Sequence, residues 1–365
     1  MNAMKKILAL LMIVATGWMV SCNKDEAPTV AENKQTLENL ANQMDEDMSV
    51  VVDEEGFNAL VAFEACMNIH DPVGSPIKKK SLSTESNTLT LKDFYRMAMM
   101  PSTDGGFDFQ SNVGTYEWNA GNQGWVITQN DPNDKIVFLF PNDGPEGTVN
   151  NVTLTIYDYQ EVLISGEWDS WYNPTRVEAD LYYQDELCID LLFEASWNTT
   201  NGEPNSLFLE LFLKPYTFTG SFDREGSDVS LEAILKLGKT RVISAGIDIG
   251  FDSAELDDVQ DLAGYLQYRK VKLEGDLDIA SLEALEGEPT VDQLNEYVNL
   301  TLYTYPDMYK MADVEFCYDE TNERIDIRLV FTDGSTVPAS EYLDSIREVI
   351  EQKMQEIQQE FPRPR

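Results

Sequence analysis

Between Phe107 and Gly250 apolar and polar residues alternate, and this alternation constrains the fold more than any other feature of the chain. Residues 152–157, for example, read Val-Thr-Leu-Thr-Ile-Tyr. Successive side chains of a strand point to opposite faces, so a period of two predicts strands with one buried face and one wet face. Short turn segments such as Asn201-Gly202 and Glu225-Gly226 separate the runs. Consecutive strands joined in this way predict an antiparallel meander and exclude βαβ units here.

The individual strands can be placed from the same pattern. A hairpin is expected from residues 116–118 to residues 125–127, with Trp118 facing Trp125 across it. Further strands are expected at residues 135–140, 152–157, 176–181, 187–197, 206–213, 217–223, 228–237 and 241–249.

One predicted strand is apolar on both faces. Residues 207–213 read Leu-Phe-Leu-Glu-Leu-Phe-Leu, so both faces of the strand need cover. Two explanations stay open. Either the strand is central, with helices on one face and a second layer on the other, or a curved sheet leaves an apolar cavity for a lipid-like ligand.

Helices are predicted on either side of this sheet region. Apolar residues at helical spacing predict a helix over 35–48, and a second one over 54–69 that Asp71-Pro72 ends. After Gly250 we expect helices at 254–262, 281–285 and 291–298, a strand at 266–273, a hairpin of 314–318 with 325–331, and a terminal helix over 340–361. The predicted fold is α+β: a large antiparallel β-meander, either flat or curved into an open half-barrel, with an N-terminal helical pair and a C-terminal helix packed on it.

The charge balance excludes one class of partner. The 65 acidic residues outnumber the 26 basic ones, which gives a net charge of −39. Such a chain repels nucleic acid and anionic membrane surfaces. The acids are spread along the chain rather than gathered in blocks, which is typical of a solvated surface.

The N-terminus gives the clearest indication of where the protein is located. Two lysines precede an apolar run over residues 7–20, and Met19-Val20-Ser21-Cys22 follows at its end. A basic start, an apolar stretch and a small residue before the cut are the parts of a secretory signal. The segment resembles a bacterial lipoprotein signal peptide, although Met19 stands where Leu is more usual. The resemblance implies that residues 1–21 are removed and that Cys22 becomes the acylated first residue, holding the protein on a membrane.

The residues after the cysteine extend this resemblance. Lys24, Asp25 and Glu26 are similar to the lysine-plus-acidic export signal of Bacteroidota surface lipoproteins. The resemblance implies an outer-membrane protein that faces the cell exterior, with the periplasmic face as the alternative. We expect residues 22–34 to form an acylated tether and residues 35–361 one globular domain, divided into a helical part (35–106), the sheet (107–250) and a mixed part (251–361).

Three cysteines remain in this domain: Cys66, Cys188 and Cys317. An odd number at wide, irregular spacing is not a disulfide framework, and their apolar surroundings indicate buried thiols. Whether two of them pair stays open.

The sequence offers little for catalysis. His70 is the one histidine, no Gly-x-Ser-x-Gly turn is present, and the cysteines lack metal-ligand spacing. We therefore expect a non-catalytic protein without metal or cofactor. A hydrolase that uses two carboxylates is the remaining catalytic alternative.

One segment is a candidate ligand site. Trp168, Asp169, Trp171, Tyr172 and Asn173 lie between two predicted strands among turn-forming residues. Aromatic rings on a loop can stack on sugars, with Asp169 and Asn173 as hydrogen-bonding groups. Alternatively, the rings fold back and close the end of the sheet.

Two short motifs complete the candidates. Asp252-Ser253-Ala254 and Asp344-Ser345-Ile346 resemble the O-glycosylation motif of exported Bacteroidota proteins, which would modify Ser253 and Ser345. The functional hypothesis from the sequence is a surface lipoprotein that binds a lipid-like or glycan ligand. A structural or interaction role in an outer-membrane assembly is the alternative.

Overall fold

The computed structural model of the protein describes residues 27–48, 54–70, 72, 107–166, 170–254, 256, 258–285, 287–320, 324–342 and 344. The signal peptide and most of the predicted terminal helix lie outside these ranges. So do several predicted site residues, namely Cys22, Lys24, Asp25, Glu26, Trp168, Asp169 and Ser345.

The predicted antiparallel sheet is confirmed. Within the described residues, sixteen strands form one sheet in the order β16-β15-β14-β13-β12-β11-β10-β9-β8-β7-β6-β5-β4-β3-β1-β2. The half-barrel curvature stays a prediction. The strands are β1 Gly114–Asn119, β2 Gly124–Gln129, β3 Ile136–Phe140, β4 Val152–Ser165, β5 Ser170–Tyr183, β6 Glu186–Trp197, β7 Pro204–Leu213, β8 Tyr216–Glu225, β9 Asp228–Leu237, β10 Thr240–Phe251, β11 Val259–Tyr268, β12 Val271–Asp278, β13 Val298–Thr304, β14 Lys310–Asp319, β15 Arg324–Phe331 and β16 Thr336–Pro338.

The meander has one exception. β1 and β2 form the predicted hairpin, and Trp118 lies opposite Trp125. β3, however, pairs with β1 in parallel and not with β2. At this end of the sheet the strands therefore do not pair in the order of the chain, and β2 is the edge strand.

The helices are α1 Val30–Glu38, α2 Leu40–Met48, α3 Glu54–Ile69, α4 Ile279–Glu283 and α5 Val291–Tyr297, with a short 3₁₀ turn at Gln110–Asn112. α3 has the predicted limits. α1 begins at Val30, inside the expected tether, because Thr29 and Glu32 form a capping box there. The helical segment therefore begins earlier than the predicted residue 35, and Asn39 divides it into α1 and α2. No helix of the described segments is long and apolar enough to cross a bilayer.

The region after Gly250 departs most from expectation. The helix predicted over 254–262 is wrong, because β11 begins at Val259 and pairs with β10. Pairing across the sheet overrides the helical spacing of the apolar residues in this segment. The strand predicted over 266–273 spans the turn between β11 and β12, where Arg269 has a φ of +48°. β13 and β16 are missed, whereas α5 and the β14–β15 hairpin are confirmed.

The chain divides into two compact units, and each has its own hydrophobic core. Among the described residues, unit 1 comprises those up to 48 and those from 224 onward, and unit 2 comprises those between 54 and 223. In unit 1, helices α1 and α2 contribute Leu37 and Met44 to a core with β12–β15. In unit 2, α3 contributes Ala59 and Cys66 to a core with β1–β7. The expectation of one domain over residues 35–361 stays a prediction.

A buried ion pair fixes α2 within unit 1. The Nε atom of Arg269 donates to Asp47 Oδ2 at 2.7 Å, and both Arg269 Nη2 and the hydroxyl of Tyr268 also contact the Asp47 carboxylate. The Asp47 side chain is 10% exposed and that of Arg269 14%. Burial, followed by the bond to Asp47, raises the pKa of Tyr268. These contacts join α2 to the turn between β11 and β12, more than 200 residues away in sequence.

Candidate ligand groove

Two sets of side chains alternate along the middle strands of unit 2. Phe193 is buried, and its cross-strand partners Val177 and Leu209 pack against the core of unit 2. The residues between them point to the opposite face of the sheet. On that face one cross-strand row runs from Arg176 on β5 through Glu194 and Phe208 to Ser221 on β8.

A groove of about 550 Å³ lies over this row. Five adjacent strands, β4–β8, supply its walls, so the sheet register sets its geometry. Its lining is mostly polar and comprises Gln160, Thr175, Arg176, Glu194, Ala195, Ser196, Ser206, Leu207, Phe208, Ser221 and Asp223.

Carboxylates on both neighbouring strands hold Arg176 in place. Its Nε lies 3.1 Å from Asp158 Oδ2, its Nη2 lies 2.8 Å from Glu178 Oε2, and its Nη1 contacts Glu194. The hydrogen bond to Glu178, followed by the charges of the three carboxylates, raises the pKa of Arg176. Bonds on three sides hold the planar guanidinium in one orientation.

The remaining groove residues offer free hydrogen-bonding groups around one aromatic ring. Among the described residues, the hydroxyls of Ser206 and Ser221 and the carboxylate of Asp223 have no side-chain hydrogen bond, whereas the Gln160 amide donates to Asp158 at 2.8 Å. Phe208 is half-buried and lines the same groove. An apolar ring surrounded by donors and acceptors can bind a flat, hydroxyl-rich molecule.

The groove lies over part of the strand that is apolar on both faces. On β7, Leu209, Leu211 and Leu213 lie in or against the core of unit 2. Phe208 lies on the other face and lines the groove. The groove over Phe208 is mostly polar, and both explanations for the two apolar faces of β7 stay predictions.

Three of the predicted ligand residues fall beside the groove. Trp171, Tyr172 and Asn173 lie in strand β5, so their placement on a loop is wrong. The Trp171 ring packs on Gly202, where an added Cβ would lie 2.5 Å from the ring. Asn173 is 6% exposed. Strand alternation places Trp171 and Asn173 on the same face as Gln160, and Tyr172 on the opposite face. Their role in ligand binding stays a prediction.

The structure also places other residues that the sequence analysis singles out. The Trp118 and Trp125 rings form an edge-to-face pair with centroids 5.2 Å apart, and Trp125 Nε1 donates to the His70 carbonyl at 2.7 Å. Ser253 lies in the bend after β10. In the described segments, no three or more His, Cys, Asp and Glu side chains form a group that could hold a metal ion.

The cysteines are free thiols. Cys66 and Cys188 are buried in unit 2, and Cys317 is partly buried in unit 1. Burial raises the pKa of the Cys66 thiol to about 12, so that this sulfur is protonated and unreactive at neutral pH.

An acidic row runs across the sheet next to the groove. Asp180 on β5 lies opposite Asp190 on β6. Asp180 is buried, 9% exposed, and its Oδ2 accepts a 2.7 Å hydrogen bond from the Tyr157 hydroxyl. Its Oδ1 has no hydrogen-bond partner among the described residues. Desolvation, followed by the charges of Asp180, Glu210 and Glu178, raises the pKa of Asp190 above its ordinary value of 3.8.

We expect Asp190→Asn to stabilise unit 2 at neutral pH. A raised pKa in the folded state means that the stability from protonated Asp190 is fully present below pH 3.8 and is lost as the pH rises through the raised pKa. The variant should therefore gain stability over the wild type as the pH rises, by about 0.5 kcal/mol at pH 7 because Asp190 is exposed. Urea unfolding between pH 3 and pH 8 measures this difference. Glu117→Gln, on the exposed face of β1, is the control, and a difference that grows as the pH falls would contradict the prediction.

Comparisons with known proteins add little to this geometry. No protein-family model matches the chain, and no curated protein matches it. Among solved structures, the chain matches a porin-like protein from Bacteroides vulgatus, over 49% of this chain and 95% of that chain. The sequence identity is 6% and the TM-score is 0.18. So low a TM-score supports no conclusion about fold or function.

Proposed function

We propose that the protein is a lipid-anchored outer-membrane protein, facing the cell exterior, that binds a carbohydrate in the groove over β4–β8. The observation that carries the proposal is the composition of the groove: one aromatic ring, three serine hydroxyls, an amide, a guanidinium and carboxylates within about 550 Å³. The N-terminal sequence supports the proposed location: Cys22 is the expected site of the lipid anchor, and Lys24-Asp25-Glu26 is the expected export signal.

The chemistry of the groove favours a saccharide over other small ligands. Sugar hydroxyls both donate and accept, and they match serine, amide and carboxylate partners of both kinds. Sugar rings also carry apolar C–H faces that can rest on Phe208, because an aromatic side chain offers a large rigid surface. An anionic ligand is disfavoured, since Asp158, Glu178 and Glu194 contact the Arg176 charge and Asp223 also lines the groove.

We expect Phe208→Ala to weaken saccharide binding by about tenfold, which corresponds to about 1.4 kcal/mol. The substitution removes the ring but leaves the polar partners and the core face of β7 in place. A saccharide panel screened by thermal shift, followed by calorimetric titration of the hits, measures the change on the full mature lipoprotein in neutral detergent.

Tyr318→Ala is the matched control for this experiment. Tyr318 is an exposed aromatic residue on β14 in unit 1 and does not line the groove, so its removal should leave the affinity unchanged. A panel without hits, or equal losses in both variants, would contradict the proposal.

A lipid-like ligand is the second candidate, and a different surface favours it. Leu231 on β9 and Ile247 on β10 are cross-strand partners in unit 1, and they are 40% and 38% exposed. An exposed apolar pair on a sheet face can receive an acyl chain. Fatty-acid binding that Phe208→Ala leaves unchanged would favour this candidate over the carbohydrate.

A further inference from the structure

The groove face of unit 2 carries far more negative than positive charge. Arg176 and, beside Tyr157, Lys135 are its basic groups, and Lys135 Nζ lies 5.4 Å from the Tyr157 ring centroid. Seven carboxylates share the face through the cross-strand registers of β4–β8: Asp158, Glu178, Asp180, Asp190, Glu194, Glu210 and Asp223. Three of them contact Arg176. The other four exceed what this guanidinium can neutralise.

These excess acids gather beside the groove. Glu210 pairs with Leu192, whose other partner is Glu178, and Asp190 pairs with Asp180 one row further on. Neighbouring rows on one face lie two residues, about 7 Å, apart along each strand. Along the strands, Glu178 and Glu210 therefore lie about 7 Å from the row of Phe208, and Asp180 and Asp190 lie about 14 Å from it.

The buried member of this group, Asp180, has no cationic partner among the described residues. Asp180 is 9% exposed, and its Oδ1 has no donor among the described residues. A buried carboxylate oxygen without a partner is costly, and like charges directly opposite on adjacent strands repel each other. Desolvation, followed by the charges of Asp180, Glu210 and Glu178, raises the pKa of Asp190. A positive charge placed on this row would stabilise the buried Asp180 carboxylate and offset its repulsion with Asp190.

We infer that the saccharide bound in the groove carries a free amino group, whose ammonium faces Glu178, Asp190 and Glu210, with the Asp180 charge behind them. This inference rests on the proposed function. A chelated metal ion fits less well, because no suitable group of three ligands is present among the described residues. An ammonium group needs only carboxylates within hydrogen-bonding or Coulombic reach, and it is attached to a ligand whose ring can rest on Phe208.

Matched oligosaccharides test the inference. Glucosamine, galactosamine and mannosamine oligomers are each titrated in their free-amine and N-acetylated forms against the full mature lipoprotein in neutral detergent, at 150 mM salt. At least one free-amine form should bind about tenfold more tightly than its acetylated partner. Asp190→Asn should reduce that ratio severalfold and leave the affinity for the acetylated form unchanged, because Asp190 lies outside the groove lining.

The control distinguishes the effect of this acidic row on binding from the effect of the protein's overall negative charge. Glu117→Gln removes one exposed negative charge from β1 and should leave the ratio unchanged. Equal affinities for the two forms, an unchanged ratio in Asp190→Asn, or an equal loss in Glu117→Gln would overturn the inference while the carbohydrate proposal stands. If the saccharide panel and both amine forms show no binding, the proposed function fails and the inference fails with it.

Discussion

The Cys22→Ser variant should appear in the soluble fraction of cells, whereas the wild type should remain with the outer membrane. Serine cannot be acylated in place of the cysteine thiol, and each buried CH₂ of an acyl chain contributes about 0.8 kcal/mol of membrane affinity. Loss of several chains therefore removes the anchor as a whole. Membrane flotation with detection of the protein measures the distribution. Continued association of the variant with the membrane would contradict the lipoprotein assignment.

The export residues offer a matched control for this experiment. A variant with Lys24, Asp25 and Glu26 all changed to alanine retains Cys22 and should stay membrane-bound. We expect it to lose surface exposure, so that protease added to intact cells no longer degrades it. Unchanged degradation would show that these three residues do not direct export, and it would leave the anchoring prediction intact.

Asp47→Ala should lower the free energy of unfolding by about 3 kcal/mol, because it leaves the partly buried Arg269 charge without its carboxylate. The same change frees the Tyr268 hydroxyl and detaches α2 from the β11–β12 turn. Urea denaturation followed by circular dichroism measures the loss. Glu46→Ala, at the exposed neighbouring position on α2, should change stability by no more than about 0.5 kcal/mol. Equal effects of the two substitutions would show that the Asp47–Arg269 pair does not hold the helix.

The sequence predicts those elements whose signal is local. α3 and β9 have the predicted limits, because a helix stop at Asp71-Pro72 and tight turns on either side of β9 mark them directly. The parallel pairing of β3 with β1 was not predictable in this way. Strand β11 was not predictable either. The spacing of its apolar residues favours a helix, but the segment forms a strand because it pairs with β10. Both depend on pairing with another strand, which the local spacing of apolar residues does not show.

The residues of the candidate site divide in the same way into those that the local sequence indicates and those that it does not. Cys22 stands in a linear motif and can be read directly. The aromatics around Trp171 attract notice because they are adjacent in sequence. Arg176, Glu194 and Phe208 do not, because only the sheet register brings them together. Alternation assigns each of the three to a face, but local sequence does not indicate which residue lies opposite which.

A crystal structure of the protein with a bound saccharide from the panel tests the central claim most directly. The account predicts electron density for a sugar ring over Phe208, with hydroxyls within hydrogen-bonding distance of Arg176 or Glu194. A saccharide bound elsewhere with an empty groove, for example against Leu231 and Ile247, would contradict it.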